Sequence, residues 1–261
     1  MENSKLTGYA PVNGLNMYYE IHGEGEIPLV LIHGGGSTIE TSFGEFLPLL
    51  SPHMKVIAVE MQAHGRTSDR DAPESYKQDA ADVAALMKYL NIEKANILGF
   101  SDGGCTTMQI AMSYPAILSK IVVVSSNYKN EGMIPEFAGF MKNASLENMP
   151  EPLKVAYNNV APDKSKLIVM FNKDRDRRLG YQDWEDADLK SIKTPALLMV
   201  ADKDVVTVEH VVKMSHLIPN AQLTVLPGTH GSFIGEICTA KKGSRLPEMA
   251  AVLVREFLWE M

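Results

Sequence analysis

Seven short segments along the chain are apolar almost without interruption: Leu15–Ile21, Pro28–His33, Lys55–Glu60, Asn96–Phe100, Lys120–Ser125, Ala196–Ala201 and Gln222–Leu226. They are rich in β-branched residues and too short for buried helices. Such runs predict strands in a sheet covered on both faces. Between them the period changes. Val83, Leu86, Met87 and Leu90 fall on one stripe of Asp79–Leu90, and Val208, Val211, Val212 and Ile218 do so in Val208–Ile218. Leu246–Trp259 reads as a terminal helix with Met249, Val252, Leu253 and Phe257 inward. Strands alternating with helices predict an α/β fold around a mostly parallel, doubly wound sheet.

The rhythm breaks after Ser125. Residues 127–193 hold no convincing strand beyond a candidate at Leu167–Phe171, and Pro135, Pro150, Pro152 and Pro162 limit helix length there. This stretch is too long for a plain loop. It predicts a helical insertion over one edge of the sheet, dividing the chain into 1–126, 127–193 and 194–261. Phe137, Phe140 and Trp184 are candidates to line a pocket, although each could equally fasten the insertion down. The charged run Asn172–Arg178 reads as a solvated face or turn.

Composition adds boundaries. With 261 residues, 45% hydrophobic and 22% charged, the chain is an ordinary globular protein, which excludes disordered, collagenous and disulfide-stapled classes. A net charge of −7 with no basic block argues against nucleic acid or an anionic membrane as partner. The first residues lack the apolar core of a secretory signal, and no apolar run is long enough to span a bilayer. Cys105 and Cys238 have no metal-ligand spacing. The expectation is a reduced, cytoplasmic protein, monomer or homodimer, acting on a small molecule without metal or organic cofactor.

The sharpest chemical signal is Gly99-Phe100-Ser101-Asp102-Gly103, directly after a predicted strand and before a predicted helix. A tight turn there strains the serine backbone and lifts its hydroxyl above the sheet, and glycines are needed where a Cβ would collide. A serine needs a base. Of seven histidines, His230 follows the last strand, in Gly228-Thr229-His230-Gly231, at the sheet edge that presents Ser101. Asp204, after the preceding strand, is the candidate to orient it, with Asp202 as runner-up or as a brace for the turn. His33 and His64 suit structural hydrogen bonds better than catalysis. Gly34-Gly35-Gly36 follows an early strand, and an N–H of Gly35 paired with that of Asp102 would form an oxyanion hole, with Gly34 close to the ligand.

Ser101, Asp204 and His230, in that order after successive strands, resemble the triad of the α/β-hydrolase superfamily. Ile32–Gly36 is similar to that family's oxyanion loop, and Val59–Ser68 to the loop after the next strand. The resemblance implies an eight-stranded, mostly parallel sheet with a helical cap inserted after the sixth strand. It also implies a serine esterase-like activity. Departures exist. Glu60 and Gln62-Ala63 replace the usual Asp and Arg-Gly, Ala201 stands where glycine is frequent, and a long stretch after His230 would place Phe233 and Ile234 near the pocket mouth. The Ser101–Gly104 string resembles the elbow of amino-acid-ester hydrolases, in which Asp102 would read an amine. The other reading has Asp102 held by a neighbouring amide or basic side chain.

The expected reaction is hydrolysis of a carboxylic ester through an acyl-enzyme. The alternatives are lactone opening, amide or carbon–carbon bond cleavage, cofactor-free peroxidase chemistry, and a non-catalytic small-molecule binding protein. A nicotinamide enzyme lacks its glycine fingerprint here.

Overall fold

In a computed structural model that describes residues 5–259, eight strands form one sheet. They are β1 (Leu6–Val12), β2 (Leu15–His22), β3 (Leu29–Ile32), β4 (Val56–Val59), β5 (Ala95–Phe100), β6 (Leu118–Val124), β7 (Ala196–Ala201) and β8 (Ala221–Leu226). Their order is β1-β2-β4-β3-β5-β6-β7-β8; β2 pairs antiparallel with both β1 and β4, and every other pair is parallel. Side chains alternate between faces as the pleat requires. Val30 and Ile32 join one core, while Leu29 and Leu31 join the other. This two-sided burial is why β3 to β7 carry no polar phase, whereas the edge strands β1 and β8 do.

Among the described residues ten α-helices accompany the sheet: α1 (Ile39–Phe43), α2 (Leu47–Leu50), α3 (Tyr76–Tyr89), α4 (Asp102–Ser113), α5 (Pro135–Lys142), α6 (Glu151–Val160), α7 (Leu167–Leu179), α8 (Asp186–Ser191), α9 (Val208–Leu217) and α10 (Leu246–Trp259). Helices α5 to α8 form the insertion after β6. Its own small core joins Met149, Leu153 and Tyr157 of the α6 region to Leu167 and Met170 of α7.

Three expectations change. Leu167–Phe171 is the first turn of α7, not a strand, because Leu167 and Met170, spaced as one helical face, bury together. Asn172–Arg178 continues that helix, and the side chains of Asp174 and Arg177 are only 12% and 6% exposed rather than solvated. Helix α10 has the expected bounds but another phase. Ala250, Ala251, Val254 and Phe257 face the core, while Met249, Val252 and Leu253 are exposed. Small alanines let this helix approach closely, which the larger side chains could not do. Strand β1, unassigned in the chain reading, lies at the sheet edge, where Pro11 needs no partner for its missing N–H.

The topology also places the site. From β3 the chain crosses to β4 on one side, then returns to β5 on the other. Ligand crevices form at the carboxyl ends of strands at such a reversal. The loops after β3 and β5 lie side by side there, since Ile32 pairs with Gly99.

Candidate active site

Ser101 follows β5 and caps α4 with φ 54° and ψ −119°, a backbone conformation unfavourable for any side chain. The glycines make it attainable. A Cβ on Gly99 would strike the carbonyl of Gly103, and one on Gly103 would strike those of Ile32 and His33. Ser101 N–H donates to Val124 O at 2.9 Å, so β6 also holds the turn. Helix α4 begins at the next residue and points its N-terminus at the same crevice.

Three side chains from three loops converge. His230 Nε2 lies 3.1 Å from Ser101 Oγ, and its Nδ1 lies 2.6 Å from Asp204 Oδ1. The Asp204 carboxylate also accepts from Ser125 Oγ at 2.6 Å and from the backbone N–H groups of Ala201 and Val206, both at 3.3 Å. Burial works against its charge, but His230 and these donors outweigh it and hold Asp204 below the usual carboxylate range. Burial likewise disfavours the His230 cation, yet Asp204 raises His230 above the ordinary histidine value. Asp202 has a different role: it accepts from Gly228 N–H at 2.7 Å and braces the turn before His230. Ser125, a polar strand end with φ 53°, gave no chemical signal in the sequence.

Above Ser101 lies a cavity of about 270 Å³. Gly34, Gly35, Asp102 and His230 form its base, and Phe137, Phe140, Met141, Met149, Leu153 and Phe171 bring the insertion's apolar surface over it. Arg175 and Arg178 are the basic residues on its wall. Two expected lining residues are elsewhere. Trp184 packs edge-on against Tyr76 and Tyr181, with ring centroids 6.4 and 6.0 Å away. Phe233 is fully buried in the core beneath α10, as is Ile234. The turn at Gly231 folds both inward and brings Glu236, Cys238 and Thr239 to the cavity instead.

Asp102 is already engaged. Tyr76 OH donates to its Oδ1 at 2.5 Å, and Arg177 Nη2 lies 3.4 Å from its Oδ2. A carboxylate satisfied in this way is poorly placed to read a substrate amine. Arg177 is buried among Asp174, Asp79 and Glu74 at 2.5, 2.8 and 3.4 Å. Burial and the neighbouring charge of Asp174 push Glu74 up to about 8, while burial takes Asp79 to about 6. His64 Nε2, Glu74 and Asp174 are close enough together to share a divalent cation. Arg177 already places a guanidinium among those carboxylates, although both Glu74 oxygens are buried without a hydrogen-bond partner.

His33 and His64 are structural. His33 Nδ1 donates to Gly34 O at 2.7 Å, while Nε2 accepts from Met61 N–H at 3.0 Å; burial lowers it to about 3, so it stays neutral. His64 donates from Nδ1 to Gln62 O at 2.8 Å and from Nε2 to Asp174 Oδ2 at 2.9 Å. Against the cost of burial, Asp174 raises it to about 9. Glu60, the departure after β4, accepts from Arg66 N–H at 2.5 Å and pairs with its guanidinium at 2.6 Å, bracing that loop.

Comparison with known proteins agrees with the fold. Residues 27–161 match the family described as alpha/beta hydrolase fold. Human serine hydrolase BPHL is 37% identical over 120 residues, a match spanning 44% of this chain and only 41% of that protein. The uncharacterized hydrolase YugF of Bacillus subtilis is 28% identical over 86% of this chain and 90% of its own. Among solved structures, the 2-hydroxy-6-oxo-6-phenylhexa-2,4-dienoate hydrolase of Rhodococcus sp. strain RHA1 superposes with TM-score 0.80 at 18% identity, covering 99% of this chain and all of that one. No helix among the described residues is long and apolar enough to cross a membrane.

Proposed function

The chain belongs to the α/β-hydrolase fold family, and from that premise we propose that it hydrolyses a small, largely apolar carbonyl compound through an acyl-enzyme on Ser101. The observation that carries this reading is the 3.1 Å approach of His230 Nε2 to Ser101 Oγ, with Asp204 2.6 Å behind the ring, beneath an apolar cavity. His230 takes the serine proton as Oγ attacks the carbonyl carbon. The N–H groups of Gly35 and Asp102 receive the oxyanion. As the intermediate collapses, His230 returns the proton to the leaving group, and a water activated by the same ring then frees the acid.

Of the bonds such a serine can break, we rank the carbon–carbon bond of a small keto acid first and a carboxylic ester second. Cleaving a C–C bond requires a leaving carbanion stabilised by conjugation, and an anionic group at its far end needs a cationic partner. Arg175 and Arg178 supply that charge at the cavity wall. The support from relatives is of the same kind. A 2-hydroxy-6-oxo-6-(2'-aminophenyl)hexa-2,4-dienoic acid hydrolase of Metapseudomonas resinovorans is 21% identical over 247 residues. The ester reading rests on the same triad and needs no cationic wall. Turnover on a 2-hydroxy-6-oxo-dienoate, compared with short p-nitrophenyl esters, separates the two. Faster dienoate cleavage that falls in Arg178→Ala supports the first; ester turnover alone leaves the second. Absence of any Ser101-dependent turnover or fluorophosphonate labelling sinks both.

A further inference from the structure

Asp174 belongs to α7 of the insertion, yet its carboxylate bonds the core. Its Oδ2 accepts from Gly36 N–H and from His64 Nε2, the latter at 2.9 Å. Its Oδ1 accepts from Arg177 Nη2 at 2.5 Å. The loop after β3 is thereby held on both sides. A Cβ added to Gly35 would lie 2.5 Å from Asp102 Oδ2 and 3.5 Å from Asp174 Oδ2, so that residue sits between two carboxylates. Arg177 bridges them, with 3.4 Å to Asp102. One buried arginine from α7 therefore touches the residue beside the nucleophile and the anchor of the glycine loop. At its other end this loop has a weaker hold: Gly34 N–H donates to Ser42 Oγ at 3.3 Å.

We infer that Asp174 is a positioning residue for the oxyanion hole: reaching in from α7, it sets the Gly35–Gly36 backbone against Ser101. The oxyanion site is then complete only while α7 is seated. The inference rests on the proposed role of Ser101 and goes beyond it by making the cap part of the transition-state machinery, not only the pocket roof. A carboxylate suits this place because three donors converge on its two oxygens. In Asp174→Asn one oxygen becomes an NH₂ group that faces a donor, so a contact is lost without change of volume.

The test compares wild type, Ser101→Ala, Asp174→Asn and His64→Gln, with an activated aryl ester as substrate and phenylboronic acid as a tetrahedral-adduct inhibitor. For Asp174→Asn, kcat falls by ~100-fold, as for loss of one oxyanion donor, while KM changes by less than ~3-fold. The phenylboronate inhibition constant rises in parallel with the loss of kcat/KM. His64→Gln, which keeps the Asp174 contact to Gly36 but loosens its hold, shows the same pattern at ~10-fold, and carries the test if Asp174→Asn does not fold. A folded Asp174→Asn enzyme with kcat within ~3-fold of wild type overturns the inference, as does a loss confined to KM with boronate affinity unchanged. If wild type itself shows no Ser101-dependent turnover, the proposed function falls and takes the inference with it.

Discussion

His230 and His64 each sit against an aspartate, 2.6 Å from Asp204 and 2.9 Å from Asp174, yet only His230 also faces a hydroxyl. The difference is at the other ring nitrogen. In His230 it faces the Ser101 hydroxyl, which can give up a proton. In His64 it faces the carbonyl of Gln62, which can only accept. With two acceptors around it, His64 is held as an imidazolium and has no lone pair to offer. His33, 4.7 Å from it ring to ring, is the opposite case: one acceptor and one donor lock it neutral. Residue type and even an aspartate partner do not define a base. The group at the second nitrogen does.

The comparison breaks first at the serine. Ser101→Ala and His230→Gln should each lower kcat/KM by on the order of 10⁵-fold, read in steady state on whichever carbonyl substrate turns over, whereas His64→Gln should leave fluorophosphonate labelling of Ser101 in place. Equal loss in all three would erase the distinction between the two histidines.

Asp204→Asn is the next largest, at about 10⁴-fold in kcat. A pH profile sharpens it. Turnover needs neutral His230, so kcat/KM falls as pH drops through a pKa that Asp204 holds above the ordinary 6.5. In Asp204→Asn that limb moves to lower pH; in His64→Gln it stays.

Stability responds in the other pair. Removing His64 leaves Asp174 short of a buried partner, at a cost of about 3 kcal/mol in denaturant unfolding. The pH dependence has a definite sign. His64 rises from 6.5 in the unfolded chain to about 9 when folded, so its contribution is complete below pH 6.5 and is lost on rising through about 9. Glu74 acts in the same direction, since its folded-state value of about 8 lies above the unfolded 4.5. Thermal unfolding at pH 6.5 and 9 should show a lower Tm at the higher pH, with a shallower slope in His64→Gln.

The smallest effects map the pocket. Phe137→Ala removes apolar contact from the cavity and should raise KM by ~10-fold, the equivalent of about 1.4 kcal/mol. Trp184→Phe, at the Tyr76–Tyr181 cluster outside the cavity, should leave KM within ~2-fold. A KM effect as large from Trp184 would return it to the substrate path.

The legible parts are those where local geometry leaves few choices. Gly99 is forced by the Gly103 carbonyl across one turn and Gly103 by the Ile32 and His33 carbonyls beside it, and the elbow reads from the string around Ser101. The apolar runs of β3 to β7 read as strands because both faces are buried. Asn172–Arg178 misled because its meaning lies elsewhere in the chain: Asp174 and Arg177 find their countercharges at His64, Asp79 and Asp102. In α10 both candidate stripes are apolar, and only the closeness of the neighbouring elements selects the alanine face. Phe233 went astray because the left-handed turn at Gly231 reverses the chain just before it.

By itself the sequence determined strands β2 to β8, helices α3, α4, α9 and α10, the strained serine turn and the chemical types offered to it, since each shows in a pattern a few residues long. Only the tertiary structure decided what faces each nitrogen of His64 and His230, which aromatic residues face the cavity and where the buried charges of α7 pair. Those outcomes depend on what lies opposite a side chain, and here the opposing group comes from a loop or helix as many as 138 positions away.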